Sequence, residues 1–320
     1  MHTQPVSQHN VPLTENSTTQ HHLLSLIGNT PLAYIPFDTS KQLYAKLEYL
    51  NPGGSLKDRT ALYMVEQAEK KGLLNPGGTI IEASSGNQGI SLAMIGAIKG
   101  YKVIITTTTK FSTEKLQTIK AYGAEIVMCE PTSFLEDPNS YHSVACRLQK
   151  ETPNSFMPNQ YFNPVNAEAH YSMTGPEIWK QTGGKITHFF AAAGTGGTVC
   201  GVGKYLKEQN PAIKIIALDA RNSFHSTGGK PLPYKIEGMG IDFDSGAIDY
   251  SLLDEIIPVA DEDALAMLKV LARQHGFLVG MASGAVAWGA HHYLPQLKED
   301  DFAVMFFGDS GRAYLTKNVY

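Results

Sequence analysis

Lys57 ends a glycine-rich turn, Asn51-Pro52-Gly53-Gly54-Ser55-Leu56-Lys57-Asp58-Arg59. Two more such turns follow it, Ser84-Ser85-Gly86-Asn87-Gln88-Gly89 and Gly194-Thr195-Gly196-Gly197-Thr198, each directly after an apolar run. A lysine amine becomes a nucleophile or a base once it sheds its proton, and burial or the positive end of a helix dipole favours that neutral form. The Pro-Gly-Gly-Ser turn sets Lys57 at the start of a helical stretch, next to that end. Glycines let successive backbone N–H groups converge on an anion, and a helix N-terminus adds favourable charge. One amine and two cradles suit a cofactor that carries an aldehyde and a phosphate.

Pyridoxal phosphate meets that description. The 194–198 turn is not a dinucleotide fingerprint, because Val199 stands where the third glycine would be, and no Gly-Lys-Ser/Thr follows to make a P-loop. In the 84–88 turn, Ser84, Ser85 and the Gly86 and Gln88 amides could grip a carboxylate, while Asn87 could bond a ring oxygen of the cofactor. An isolated first-turn lysine would ordinarily be solvated, and an isolated serine before a helix would be a plain N-cap. The joint order of the three turns sets those readings aside. Gly308-Asp309-Ser310-Gly311 spells a protease nucleophile motif, but the chain reads as α/β and only ten residues follow Ser310, against that role. The eleven histidines form no His-Glu-x-x-His or Cys/His cluster, so no metal is expected.

The elements that position these turns alternate in type. Strands are expected at 43–47, 79–83, 102–108, 125–128, 188–193, 213–218 and 302–307, with helices over 57–71, 88–99, 112–123, 198–208 and 261–274. In the first helix Ala61, Met64, Val65 and Ala68 share a face. Such β-α-β succession predicts parallel sheets covered by helices. Prolines, asparagines and serines across 131–165 mark a transition between two domains.

The 320 residues are 42% hydrophobic and 18% charged, which describes a globular chain. A net charge of −4 without a dense basic cluster gives nucleic acid no footprint. Three scattered cysteines cannot make a disulfide framework and point to a reducing cytoplasm. Residues 1–22, rich in Gln, His, Thr and Ser, read as a disordered tail without a secretory core, and no apolar run approaches the ~20 residues of a membrane span.

From Ile27-Gly28-Asn29-Thr30-Pro31-Leu32 to Asp309-Ser310-Gly311-Arg312-Ala313-Tyr314 the chain resembles the cysteine synthase and cystathionine β-synthase family. The resemblance implies fold type II, like the tryptophan synthase β-subunit: two three-layer α/β/α domains, one of residues 46–156 and one of 23–45 with 157–320. It implies Lys57 as the cofactor lysine, with Gly194, Thr195, Gly196, Gly197 and Thr198 on its phosphate and Asn87 on its ring oxygen. Ser84, Ser85, Gly86, Gln88, Gln160 and Tyr161 would face the substrate. The family motif carries threonine where Gln88 stands and serine where Ala282 stands, so Ser283, one position on, is the hydroxyl carried over to the pyridine nitrogen. The implied reaction is β-replacement on L-serine or O-acetyl-L-serine by homocysteine or sulfide, through an aminoacrylate. Glu237, in Lys235-Ile236-Glu237-Gly238, leans toward the cystathionine synthases and would assist the leaving group. The alternatives are an amine nucleophile, giving a diaminopropionate-type product, and a weakly active regulatory homologue that only binds the cofactor. Small amino-acid substrates, a homodimer, and neither a haem domain nor a regulatory tail complete what it implies.

Overall fold

The computed structural model describes residues 23–84, 86–109, 112–132 and 135–320. The tail reading of 1–22 and the site reading of Ser85 lie outside the described residues. In chain order the elements are β1 (Leu32–Tyr34), β2 (Gln42–Leu47), α1 (Lys57–Lys70), β3 (Thr79–Ala83), α2 (Asn87–Lys99), β4 (Lys102–Thr107), α3 (Thr113–Ala121), β5 (Glu125–Met128), α4 (Tyr141–Glu151) and β6 (Ser155–Phe156). They continue with α5 (Val165–Ala169), α6 (Gly175–Gln181), β7 (His188–Ala192), α7 (Gly197–Gln209), β8 (Lys214–Ala220), β9 (Glu255–Val259), α8 (Asp261–His275), α9 (Met281–Tyr293) and β10 (Phe302–Phe307).

The strands form two sheets, ordered β5-β4-β3-β6 and β1-β2-β10-β7-β8-β9. Every pairing is parallel except β1 with β2. Strands in a parallel sheet are covered on both faces and are therefore apolar throughout, and β3 is buried at all five positions. In the larger sheet, alternate residues serve opposite cores. Phe190, Ile216, Leu218, Met305 and Phe307 meet α8 and α9, whereas Phe189, Ile215, Ala217, Val304 and Phe306 meet α6 and α7. The smaller sheet packs Ile80, Val103 and Ile105 against α1, α2 and α3, and Ile81 and Ala83 against α4. Both assemblies are thus three-layer α/β/α, the expected fold class.

Three short strands and four helices were not foreseen. The 131–165 stretch carries α4 and β6, and β6 adds an edge to the smaller sheet beside β3.

A buried ion cluster roots α1 to the larger sheet. The Arg59 guanidinium donates to both Glu48 oxygens, at 2.7 and 2.9 Å, and to both Glu177 oxygens, at 2.8 and 2.9 Å. Lys46 from β2 completes it, paired with Glu177 and 2.8 Å from Gln181 Oε1. Burial works against the Glu177 carboxylate, but Arg59 and Lys46 outweigh it and hold its pKa down at about 2, from 4.5. A carboxyl depressed in the folded state stabilises the fold above its unfolded pKa and loses that contribution as pH falls toward the folded value. Arg59→Met should cost about 3–5 kcal/mol in urea unfolding at pH 7, because two carboxylates keep their burial and lose their partner. The deficit against wild type should shrink between pH 5 and pH 2.

Candidate active site

The lysine turn is stitched to the end of β10. Leu56 N–H donates to the Gly308 carbonyl at 2.8 Å and Ser310 N–H to the Gly54 carbonyl at 3.3 Å. Gly54 can complete the turn because its φ is +83°, a left-handed value that side chains resist. Asp58 then locks the helix start, accepting from Gly53 N–H at 2.5 Å and from the Ser91 hydroxyl of α2 at 2.5 Å. This leaves Lys57 in the first turn of α1, lining a cavity with Asn87, Gly194, Thr195, Gly196, Thr198, Gly238, Ala282 and Asp309. Burial lowers its pKa from 10.5 to about 8, against the opposing pull of the Glu82 and Asp309 carboxylates.

The 194–198 turn faces that amine. The first amides of α7 have no acceptor within the helix, and the turn carrying them forms the cavity wall. Gly196 sits at the N-cap with φ +81°. A Cβ on Gly197 would fall 2.3 Å from Asn166 Oδ1, and one on Gly194 would fall 3.1 Å from the Gly238 carbonyl. Asn166 Nδ2 also donates to the Thr195 hydroxyl at 2.9 Å and to the Gln160 carbonyl at 2.9 Å. The Thr198 hydroxyl lies 3.3 Å from Nε2 of His170. Burial first, then the Lys57 and Arg59 charges, push the His170 pKa well down, so this ring is neutral. An amide cradle and a desolvated amine lining one cavity fit the phosphate and aldehyde of pyridoxal phosphate.

The remaining expected residues divide. Asn87 is in the cavity wall, its amide donating to Asp309 Oδ2 at 2.7 Å. Gly86 caps α2 with φ +146°, and a Cβ there would meet the Lys115 side chain at 2.3 Å. The Ser84 hydroxyl accepts from Gly86 and Gly89 N–H, at 3.1 and 2.9 Å, and so braces its own turn. Gln160 is buried, and its side-chain carbonyl has no partner among the described residues. Tyr161 packs edge-on against Phe243, centroids 5.3 Å apart, and bonds Tyr141.

Three of the expected site residues make other contacts. Gln88 turns into the α1–α2 interface, 3.2 Å from the Thr60 hydroxyl and 3.8 Å from Met64 Sδ, because its place on α2 faces α1. Ser283 is fully buried, its hydroxyl accepting from Gly308 N–H at 3.2 Å, and Ala282 is the residue of that loop that reaches the cavity. Glu237 pairs with Lys115 at 2.8 Å and with Lys317, and it is not among the residues of the cavity wall.

Two carboxyls escaped the sequence reading. Burial raises the Asp309 pKa even though the hydroxyl of Tyr314 and the Asn87 amide bond to it. Glu82 on β3 accepts from Asn159 N–H at 2.7 Å and from the Gln160 amide, and burial pushes its pKa to about 8. Position could have exposed both, since ligands in open α/β sheets gather beyond the carboxyl ends of strands.

Two three-layer α/β/α assemblies, with a desolvated lysine and a glycine cradle on one cavity, define a cofactor-dependent enzyme class. The family described as "Pyridoxal-phosphate dependent enzyme" matches residues 23–309, and the chain belongs to it. It is 44% identical over 306 residues to a cystathionine beta-synthase of Apis mellifera, covering 93% of this chain and 61% of that one. It is 39% identical over 302 residues to a cysteine synthase of Staphylococcus aureus, covering 93% and 96%. Its fold matches an O-acetylserine dependent cystathionine beta-synthase from Helicobacter pylori with TM-score 0.85 and 35% identity, covering 93% and 98%. The chain thus spans under two thirds of the honeybee relative and nearly all of the two bacterial ones.

Covalent labelling checks the amine. In cofactor-stripped protein, acylation of Lys57 should rise with pH through a midpoint near 8, since only the neutral amine reacts and burial lowers its pKa to about that value. Gly197→Val should cut cofactor retention on dialysis at least tenfold, an order expected when about 1.4 kcal/mol or more of binding is lost. Unfolding midpoints would separate that from loss of fold.

Proposed function

We propose that the protein catalyses β-replacement on an activated L-serine, O-acetyl-L-serine foremost, adding a thiol such as homocysteine or sulfide. The observation that carries this is the Lys57 amine, lowered to about 8 in the same cavity as the α7 cradle. When bound there, pyridoxal phosphate withdraws electrons from the substrate α-carbon. The chain supplies the rest. The α7 turn and Thr198 would hold the phosphate, and Asn87, oriented by Asp309, would hold the ring. Gln160, set by the Glu82 carboxyl through the 159–160 amides, and Gly86 hold the substrate carboxylate. Lys57, with a usable fraction of neutral amine near pH 7, takes the α-proton and later returns it.

Donor choice turns on the leaving group. Hydroxide needs a proton as it departs, whereas acetate does not. Glu237 is engaged by two ammonium groups, and its position away from the cavity wall supports a structural part in place of proton delivery. We read the two sheets as two domains, 46–156 and 23–45 with 157–320, with the cavity between them. A homodimer follows the family resemblance, and the three free cysteines favour a reducing cytoplasm.

Purified protein assayed with serine and O-acetylserine against sulfide, homocysteine and amino-acid amines should show kcat/KM at least tenfold higher for O-acetylserine with a thiol, a difference of about 1.4 kcal/mol in barrier. Glu237→Gln should lower turnover of both donors alike. Serine used equally well, or a loss confined to serine in that variant, would return Glu237 to leaving-group chemistry. Preference for an amine acceptor would select the diaminopropionate-type reaction.

A further inference from the structure

We propose that His170 is a positioning residue. A directed chain from Thr174 through His170 to Thr198 turns the Thr198 hydroxyl hydrogen into the cavity and makes the α7 turn select a phosphate dianion. This rests on the reading of that turn as the phosphate cradle. His170 and Thr174 are the two ends of a single π-helical turn between α5 and α6, and Thr198 stands in the first turn of α7. His170 and Thr174 are fully buried, and Thr198 is 9% exposed. Gly201 lets α7 press onto the π turn, since a Cβ there would fall 2.7 Å from the His170 Cβ.

The π turn points Thr174 at the ring. The His170 carbonyl accepts from the N–H of Gly175, five residues on. Thr118 and Thr182 donate their hydroxyls to the carbonyl four residues back. The Thr174 hydroxyl instead lies 2.9 Å from Nδ1 of His170, its one partner among the described residues. A buried hydroxyl hydrogen needs an acceptor, so Thr174 donates and Nδ1 holds the lone pair. A neutral imidazole has one lone pair and one N–H, which puts the ring hydrogen on Nε2. That nitrogen is 3.3 Å from the Thr198 hydroxyl. The Thr198 oxygen therefore accepts, and its own hydrogen is left for the cavity that Thr198 lines. Burial and the Lys57 and Arg59 charges keep the ring neutral, so the chain does not reverse.

A ligand oxygen that meets this hydrogen must accept. A phosphate dianion presents acceptor oxygens only, whereas the monoanion carries a proton on one of them. The free amides and the dipole at the start of α7 favour the same higher charge. The cradle thus holds off the second phosphate proton, which ordinarily binds near pH ~6. Lys57 and Asp309 are the other ionisable residues of that wall. Both are common to the wild type and the variants below, so a difference between them reads His170.

The test uses the cofactor-loaded protein with isotope-labelled histidine. Nitrogen NMR should show His170 protonated on Nε2 and bare on Nδ1, its signals assigned by their loss in His170→Gln. The phosphorus NMR shift of the bound cofactor should stay flat from about pH 5.5 to 8 in wild type. In His170→Leu an inflection should appear near pH ~6, and cofactor retention on dialysis should fall about tenfold, the scale of one lost hydrogen bond to a charged group. His170→Gln keeps an acceptor and a donor on one side chain and should restore both. Unfolding midpoints show that each variant is folded, and the wild-type tautomer needs no variant to fold. A proton on Nδ1 overturns the chain, and a flat phosphorus shift in folded His170→Leu overturns the selection. A phosphorus shift unmoved by Thr198→Val removes the phosphate from the α7 turn, and the underlying reading then fails with either tautomer.

Discussion

The first turn of α1 is bonded to both sheets at once, and the placement of the reactive amine depends on that double attachment. Ala61, Val65 and Ala68 bury α1 in the core of the smaller sheet. Arg59, two residues from Lys57, is fixed by Glu48 and Glu177 on the side of the larger sheet. The Leu56–Gly308 bond adds the end of β10. A flexible four-carbon lysine side chain loses precision quickly when its Cα moves, and reacting groups need placement to a fraction of an ångström. The ion cluster spends desolvation energy to obtain that placement. Its two acids and two bases balance, so what it contributes is orientation more than net stability.

A second polar chain crosses the same boundary farther out. Asn87 bonds Asp309, Asp309 bonds Tyr314, Tyr314 bonds Lys115, and Lys115 and Lys317 share Glu237. Lys115 also lies over the Tyr314 ring, 4.2 Å from its centroid. Buried groups this close are stable only as a satisfied set. Glu237 is a member of that set, which is why its likeness to a substrate residue in the sequence did not translate into a place in the cavity wall.

What the sequence reveals depends on how local the cause is. Strands such as β7 and β10 are read from their buried apolar runs, and Lys57 and the 194–198 turn from glycines that backbone geometry demands. β6 has only two residues, and β9 is an edge strand that contains Pro258, so neither carries a strand pattern. Helix α9 is buried along most of its length, which erases the amphipathic period. Ser283 and Ala282 show the finer limit: one residue along a helix turns a side chain by about 100°, enough to move the hydroxyl out of the cavity and the methyl in. Gln88 is decided by what α1 presents to α2, and Asp309 was hidden inside a motif that spells another chemistry.

Asn166 is a small residue with an unusual position. Its one amide nitrogen holds the Thr195 hydroxyl of the glycine turn and the carbonyl of Gln160, while its oxygen lies where a side chain at position 197 would go. A ligand that shifts either turn must therefore shift or strain the bond to the other. Thermodynamic linkage makes this mutual: by whatever factor a bound phosphate changes affinity for a carboxylate at Gln160, the carboxylate changes affinity for the phosphate.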